Sequence, residues 1–262
     1  MKMKNFVIQC QKAAEKAGER LVELRGTVDV REKGPADLVT AADLASQQII
    51  FDELNGHFPE FGFIGEEEID EISKISGEYC WIVDPLDGTT NYVHGLDNFS
   101  ISIGLRHLDE IVMGLVHDPI RAETFWATKD DGAYLNGKPL RVSKTTKASQ
   151  ALVAASFSPK IDRESAEIKR FVEAVCECQA VRRLGSAALN LCYVAAGRLD
   201  AYWATSLKIW DLAAGVHIVD EAGGEICAID GGPFQLENAR FIAASTSQLQ
   251  SELVNILRRA EA

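Results

Sequence analysis

The sequence predicts an α/β protein forming one unit with two lobes, an α+β lobe over about residues 1–145 and an α/β lobe over about residues 146–262. Three observations lead there. Apolar residues recur at helical spacing at the start of the chain. A run of alternating strands follows with no helix between them. Beyond a polar segment at Lys144–Gln150, which marks the lobe boundary, strands and helices take turns.

Phe6, Cys10, Ala13, Ala14, Ala17, Leu21 and Leu24 fall on one helical face with Lys and Glu between them, and Gly26 ends that helix. Val28–Arg31 reads as a short strand and Glu32–Pro35 as a polar loop. Thr40 and Asp43 match a capping box that opens a helix running to Leu54, and capping by itself accounts for Asp43. Phe61–Ile64 reads as a strand leading into Gly65-Glu66-Glu67-Glu68. Such acidic runs are usually solvated loops, although a Glu directly after a strand end also suits a metal ion. Tyr79–Val83 is apolar enough for a buried strand, which Pro85 should end because proline has no amide proton for a ladder. Phe99–Leu105, Ile111–Val116, Glu123–Ala127 and Ala133–Leu135 complete an antiparallel meander. After the boundary come a strand at Leu152–Ala155 and helices at Ser165–Cys178 and Ser186–Ala196. A strand at Leu199–Trp203 and a helix at Asp211–Ala222 follow. Strands at Glu225–Ile229 and Phe241–Ala244 and a helix at Gln248–Arg259 close the chain.

With 262 residues and 47% hydrophobic content, the chain can bury a substantial core. Its formal charge of −12 argues against nucleic-acid binding but not against a small anion, because bound cations invert the local field. Cys10, Cys80, Cys176, Cys178, Cys192 and Cys227 lie mostly in apolar runs, without the spacing of a disulfide framework or zinc site, and read as reduced core residues. His94, His107 and His117 also lack paired zinc spacing and read as structural. The first 24 residues hold no long apolar stretch, so neither a signal peptide nor a membrane span is expected, and the expected location is cytoplasmic.

Chemistry concentrates at Asp84-Pro85-Leu86-Asp87-Gly88-Thr89-Thr90. Two carboxylates three residues apart on a rigid turn suit a hard divalent cation such as Mg²⁺, which takes carboxylates, carbonyls and water and would relieve their repulsion. Gly88 permits close backbone approach, and Thr89 and Thr90 offer hydroxyls and amides to an anion where a helix starts. A lone D-x-x-D is most often a turn whose Asp caps a helix. Cation ligands beside an anion-binding helix start point instead to phosphoryl chemistry.

DPLDGTTNYVHG at Asp84–Gly95, GEE at Gly65–Glu67 and WDLAAG at Trp210–Gly215 together resemble the inositol monophosphatase family of Mg²⁺-dependent, lithium-sensitive phosphatases. The likeness runs from ADLVTAAD at Ala36–Asp43 to EAGG at Glu221–Gly224, nearly the whole chain. It implies a layered αβαβα sandwich of the sugar-phosphatase type, two or three Mg²⁺ per site and a homodimer. By the same resemblance, Glu66, Asp84, the Leu86 carbonyl and Thr89 would hold one cation, and Asp84, Asp87 and Asp211 a second. Glu67 would stand behind the ligands and Glu68 would face solvent. Asp43 would hydrogen-bond Thr89, and Lys33 and Asp37 would lie near the mouth of the site. A cation-activated water, oriented by Glu66 and Thr89, would attack phosphorus in line with no covalent phosphoenzyme.

Leu86, Asp87, Gly88, Thr89 and Asp211 would line the substrate position, with the Gly88 and Thr89 amides on phosphate oxygens. Asp211 precedes Leu212-Ala213-Ala214, where an Asp N-cap is expected, and capping is compatible with metal binding because a carboxylate has several lone pairs. Arg182 and Arg183 are the side chains expected to reach substrate from the second lobe, although Arg pairs are often solvated. The alcohol is less constrained. Family members acting on inositol phosphates typically carry Glu in the strand before WD, whereas Trp203 is followed here by Ala204, and Ala154–Ser158 departs from the usual glycine-containing pattern. Inositol-1-phosphate leads as substrate, with fructose-1,6-bisphosphate, histidinol phosphate and other small phosphate esters as alternatives. A protein-binding regulator on this fold and a metal-dependent nuclease are the readings from other classes. The intact ligand set disfavours the first and the acidic balance the second.

Overall fold

Alanines at 13, 14 and 17, all fully buried, let the first helix lie close against a sheet, and this economy of side chains recurs throughout the structure. The computed structural model describes residues 2–26, 30–34, 37–67, 77–158 and 161–261, with the backbone alone over 30–39. The elements run α1 (Lys2–Leu24), β1 (Val30–Gly34), β2 (Asp37–Thr40), α2 (Ala41–His57), β3 (Gly62–Gly65), β4 (Tyr79–Asp87), α3 (Thr89–Val93) and β5 (Ser100–His107). They continue with β6 (Glu110–Asp118), β7 (Glu123–Thr128), β8 (Gly132–Leu135), β9 (Lys138–Pro139), β10 (Leu152–Ser156), α4 (Ala166–Glu177), β11 (Ala180–Arg182) and α5 (Ala187–Ala195). The last are β12 (Ala201–Ala204), α6 (Ile209–Glu221), β13 (Glu225–Ala228), β14 (Phe241–Ala244) and α7 (Ser247–Arg258).

One sheet has the order β3-β4-β5-β6-β7-β8-β9 and the other β11-β10-β12-β14-β13, while β1 and β2 form a separate hairpin. Phe6, Leu21, Ile50 and Leu54 of α1 and α2 pack on Trp81, Val83 and Ile103 of the first sheet. Leu191 of α5 and Leu212 and Ile218 of α6 fill the space between the sheets, against Val116 and Phe125 on one side and Tyr202 and Phe241 on the other. Ala174 of α4 and Leu249 and Leu253 of α7 cover the far face at Val153, Trp203 and Ile242. The layers are therefore αβαβα, as the resemblance implied. The middle layer is the tightest. A Cβ on Gly114 of β6 would sit 2.4 Å from the Ala214 carbonyl oxygen, so the α6 backbone rests directly on the sheet.

Several local expectations are corrected. The chain does not leave the sheet at Pro85: β4 continues to Asp87 through a register shift between the pairs Asp84↔Ser102 and Asp87↔Ser100. The bulge places proline where no ladder donor is required. Glu32–Gly34, read as loop, belongs to β1 and pairs with β2. Residues 27–29 and Pro35, in the neighbouring expectations, lie outside the described residues. Asp211 is not an N-cap; it sits one turn inside α6. Cys176 is exposed on α4, whereas the other five cysteines are buried, and all six are free. β9 and β11 were not anticipated. Among the described residues no helix is long and apolar enough to cross a membrane.

Candidate active site

The bulge in β4 builds the floor of the site. Ser46 of α2 donates to the Pro85 carbonyl at 2.7 Å and pins the bulge from one side. Within it the Leu86 amide donates to Asp84 Oδ1 at 3.0 Å, turning that carboxylate back over its own strand. Gly88 then turns the chain into α3 at φ 96°, and a Cβ there would lie 3.1 Å from the Asn98 carbonyl oxygen.

Asp87 projects across the gap to the second sheet. It accepts from Ser186 Oγ at 2.5 Å, the Ala187 amide at 3.0 Å, the Ala188 amide at 2.8 Å and Ser100 Oγ at 3.3 Å. The N-terminus of α5, where amide donors are otherwise unpaired, is thus capped by a carboxylate from the other sheet. Asn91 Nδ2 adds a second crossing by donating to the Leu184 carbonyl at 2.7 Å.

Glu66 follows β3, and its amide donates to the Val83 carbonyl at 3.1 Å, which holds its backbone beside β4. The next residue is clamped by buried Gln47 of α2, whose Nε2 donates to the Glu67 carbonyl at 2.7 Å and whose Oε1 accepts from the Glu67 amide at 3.0 Å. Asp43 serves two partners. Oδ2 accepts from the Thr40 amide and hydroxyl at 2.8 and 2.7 Å, completing the capping box, and Oδ1 lies 3.3 Å from the Thr89 hydroxyl. Thr89 Oγ1 is also 3.1 Å from the Leu86 carbonyl oxygen. Asp211 Oδ2 accepts from the Lys208 amide at 2.7 Å, which orients the start of α6 toward β4.

Electrostatics report the convergence. Burial holds the Asp84 carboxyl well above the usual carboxylate range, and the charges of Glu66, Asp87 and Asp211 push it further. Asp87 is also raised by burial, against the pull of its Ser and amide donors. Asp211 is pushed up to about 7 by burial and then by Asp87, opposed by the Lys208 amide and by a hydrogen bond with Asp84. Asp43 is raised to about 6 by burial, with a smaller contribution from Glu67. Acids from three separate stretches of the chain, Glu66, Asp84 with Asp87, and Asp211, therefore lie within electrostatic reach of one another. Among the described residues, however, no three His, Cys, Asp or Glu side chains stand close enough to form a ready-made metal cage.

Two other expected residues make contacts of their own. Arg182 Nη1 donates to its neighbour's carbonyl at Val181, and the Arg183 guanidinium stacks 4.8 Å from the Phe157 ring centroid; both are exposed. The side chains of Lys33 and Asp37, and Glu68 entirely, lie outside the described residues. Ser186 and Gln47 escaped sequence reading as site residues. The Ser-Ala-Ala start of α5 did signal a helix cap, but nothing local shows that the hydroxyl also serves Asp87.

Comparison with known proteins identifies the family. The sequence profile of the inositol monophosphatase family matches residues 2–262. An inositol-1-monophosphatase of Mesorhizobium japonicum is 39% identical over 92% of this chain and 91% of its own. A Nus factor SuhB of Pseudomonas aeruginosa is 38% identical over 94% and 93%. The solved structure of a Thermotoga maritima IMPase superposes with a TM-score of 0.89 at 35% identity, covering 100% of this chain and 98% of that one. With matching motifs, layers and length, the chain belongs to the inositol monophosphatase family of phosphoric monoester hydrolases.

Proposed function

We propose that the chain hydrolyses a small phosphate monoester, with inositol-1-phosphate as leading substrate, and that it uses Mg²⁺. The observation that carries this reading is the state of Asp84, buried and crowded by three further carboxyl groups. Such a set is costly without a cation. Its donors are all hard oxygens, once the Leu86 carbonyl and Thr89 hydroxyl are included, and they fit Mg²⁺. Glu66, Asp84, Leu86, Thr89, Asp87 and Asp211 would hold the ions. When bound, these neutralise phosphate and leaving-group charge and acidify water.

The chain's own groups do the rest. Thr89, donating to Asp43 or to the Leu86 carbonyl, keeps lone pairs to accept a hydrogen bond from the attacking water. Asp43 acts through Thr89 as a positioning residue, held by Thr40. Glu66 takes the one proton the attacking water gives up as its oxygen bonds to phosphorus, the leaving oxygen is protonated from solvent as the ester bond breaks, and the Gly88 and Thr89 amides orient phosphate. Asp87, fixed by α5, keeps the second sheet in register with the first.

Glu66→Gln and Asp84→Asn each remove a charge without changing shape. Mg²⁺-dependent phosphate release from inositol-1-phosphate should fall by roughly 10²-fold or more in both, with unfolding still cooperative. Near-normal release in both variants would defeat the reading. The name of the SuhB relative, Nus factor, supports a second reading, a regulatory protein-binding role. A wild-type chain that releases phosphate from no monoester would favour it.

A further inference from the structure

The three parallel strands of the second sheet, β11, β10 and β12, end on the same edge, and their C-terminal ends face the acidic cluster. Tyr202 of β12 links the two. Its buried phenol is pushed up by burial and by the nearby Asp87 and Asp211 carboxyl groups, and its hydroxyl donates to Ser156 Oγ at 2.8 Å, at the end of β10. Ser156 and Ala204 are paired across β10 and β12, so the residues that follow them, Phe157-Ser158 and Thr205, leave the sheet side by side beside the cluster.

A carboxylate spans that crevice. Glu167, in the first turn of α4, accepts on Oε1 from the Ser158 amide and hydroxyl, both at 3.1 Å, and from the Thr205 hydroxyl. All three donors use one oxygen, and among the described residues none reaches Oε2. Glu167, Ser158 and Thr205 are partly exposed, so the network they form stands at the surface of the strand ends. β12 itself ends in Ala204, which offers no polar side chain there.

We propose that Glu167 Oε2 accepts a hydroxyl of the substrate's alcohol portion, making the enzyme selective for phosphate esters of polyhydric alcohols. This rests on the phosphatase reading above. The phosphate lies over Asp84 and Asp211, and the polyol extends along the strand ends to Glu167. An acceptor placed in this way discriminates against alcohols lacking the matching hydroxyl, because its hydrogen bond to substrate is then lost.

Glu167→Gln tests the contact cleanly. The Gln carbonyl oxygen still accepts from Ser158 and Thr205, while the NH₂ group replacing Oε2 cannot accept. We expect kcat/KM for inositol-1-phosphate or glucose-1-phosphate to fall roughly 10–100-fold, mostly through KM, with 4-nitrophenyl phosphate unchanged within about twofold. Equal loss on both substrate types, or loss on neither, overturns the assignment. Wild-type enzyme should also prefer the polyol phosphates to ethyl phosphate by about tenfold or more. That measurement needs no variant to fold, and equal rates overturn the proposal as well. Failure of wild-type enzyme to release phosphate from any of these esters would instead sink the phosphatase reading itself.

Discussion

Gly114→Ala probes the contact that sets the position of Asp211. The added methyl would stand 2.4 Å from the Ala214 carbonyl oxygen, 2.8 Å from its Cα and 2.9 Å from its carbonyl carbon. Ordinary contacts lie near 3.3–3.8 Å, so α6 must withdraw by about 0.5–1 Å. Neither side can relieve the clash by rotating a side chain, since all three atoms are backbone. Overpacking costs about 1–3 kcal/mol, and this case belongs at the upper end. For a chain of this size that lowers Tm by roughly 6–12 °C. Asp211 lies three residues before Ala214 on the same helix and moves with it, so phosphate release should drop by roughly 10–100-fold. The control is Gly56→Ala in α2, where a Cβ meets nothing within 4 Å. It should stabilise by about 0.5–1 kcal/mol. Thermal melts and initial rates on the three proteins decide the matter. Wild-type melting and turnover in Gly114→Ala would refute the claim that the α6 backbone rests on β6.

Gln47→Ala leaves the Glu67 amide and carbonyl without their buried partner. Each such group costs about 1–3 kcal/mol, so urea unfolding should shift to lower denaturant, with apparent Mg²⁺ affinity weakened as the Glu66 segment loosens. A midpoint equal to wild type would show that other groups take over the clamp. Stability of the cation-free protein should fall as pH rises from about 6.5 to about 7.5 and level off above that. The sign follows from Asp211, whose carboxyl rises from an ordinary 3.8 to about 7 on folding. Between those two values the folded chain holds a proton that the unfolded chain has released, so stability falls with pH until the folded carboxyl is itself deprotonated just above 7. Buried His117 and His217 are shifted down from 6.5, so their opposing effect is confined to lower pH. Mg²⁺ should therefore raise Tm more at pH 8.5 than at pH 6.5, and a rising stability across this window without metal would contradict the assignment.

What the sequence could and could not convey follows from the range of each interaction. Thr40 and Asp43 are three residues apart, and their capping box was readable because both halves lie in one turn. Asp211 was misplaced by a turn because an acidic residue at the N-cap and one at the third helical position leave the same local signal. Pro85 reads as a strand end, since a bulge depends on register with Ser100 and Ser102, which local pattern does not encode. β11, three residues long, is too short for any periodicity to register. The chemistry of the site was legible in Asp84-Pro85-Leu86-Asp87, but the gathering of Glu66 and Asp211 came only through family resemblance. The supporting groups stayed hidden, because Gln47 acts across 20 residues and Ser186 across 99.

Helices α5 and α6 belong to the interiors of both sheets at once. Pulling the sheets apart would expose Val116 and Phe125 on one side and Tyr202 and Phe241 on the other, so the molecule has no compliant seam at which to gape. The spacing between Asp84 and Asp211 is consequently tied to how these two helices pack between the sheets. Substitutions in the middle helices therefore act as changes in that spacing.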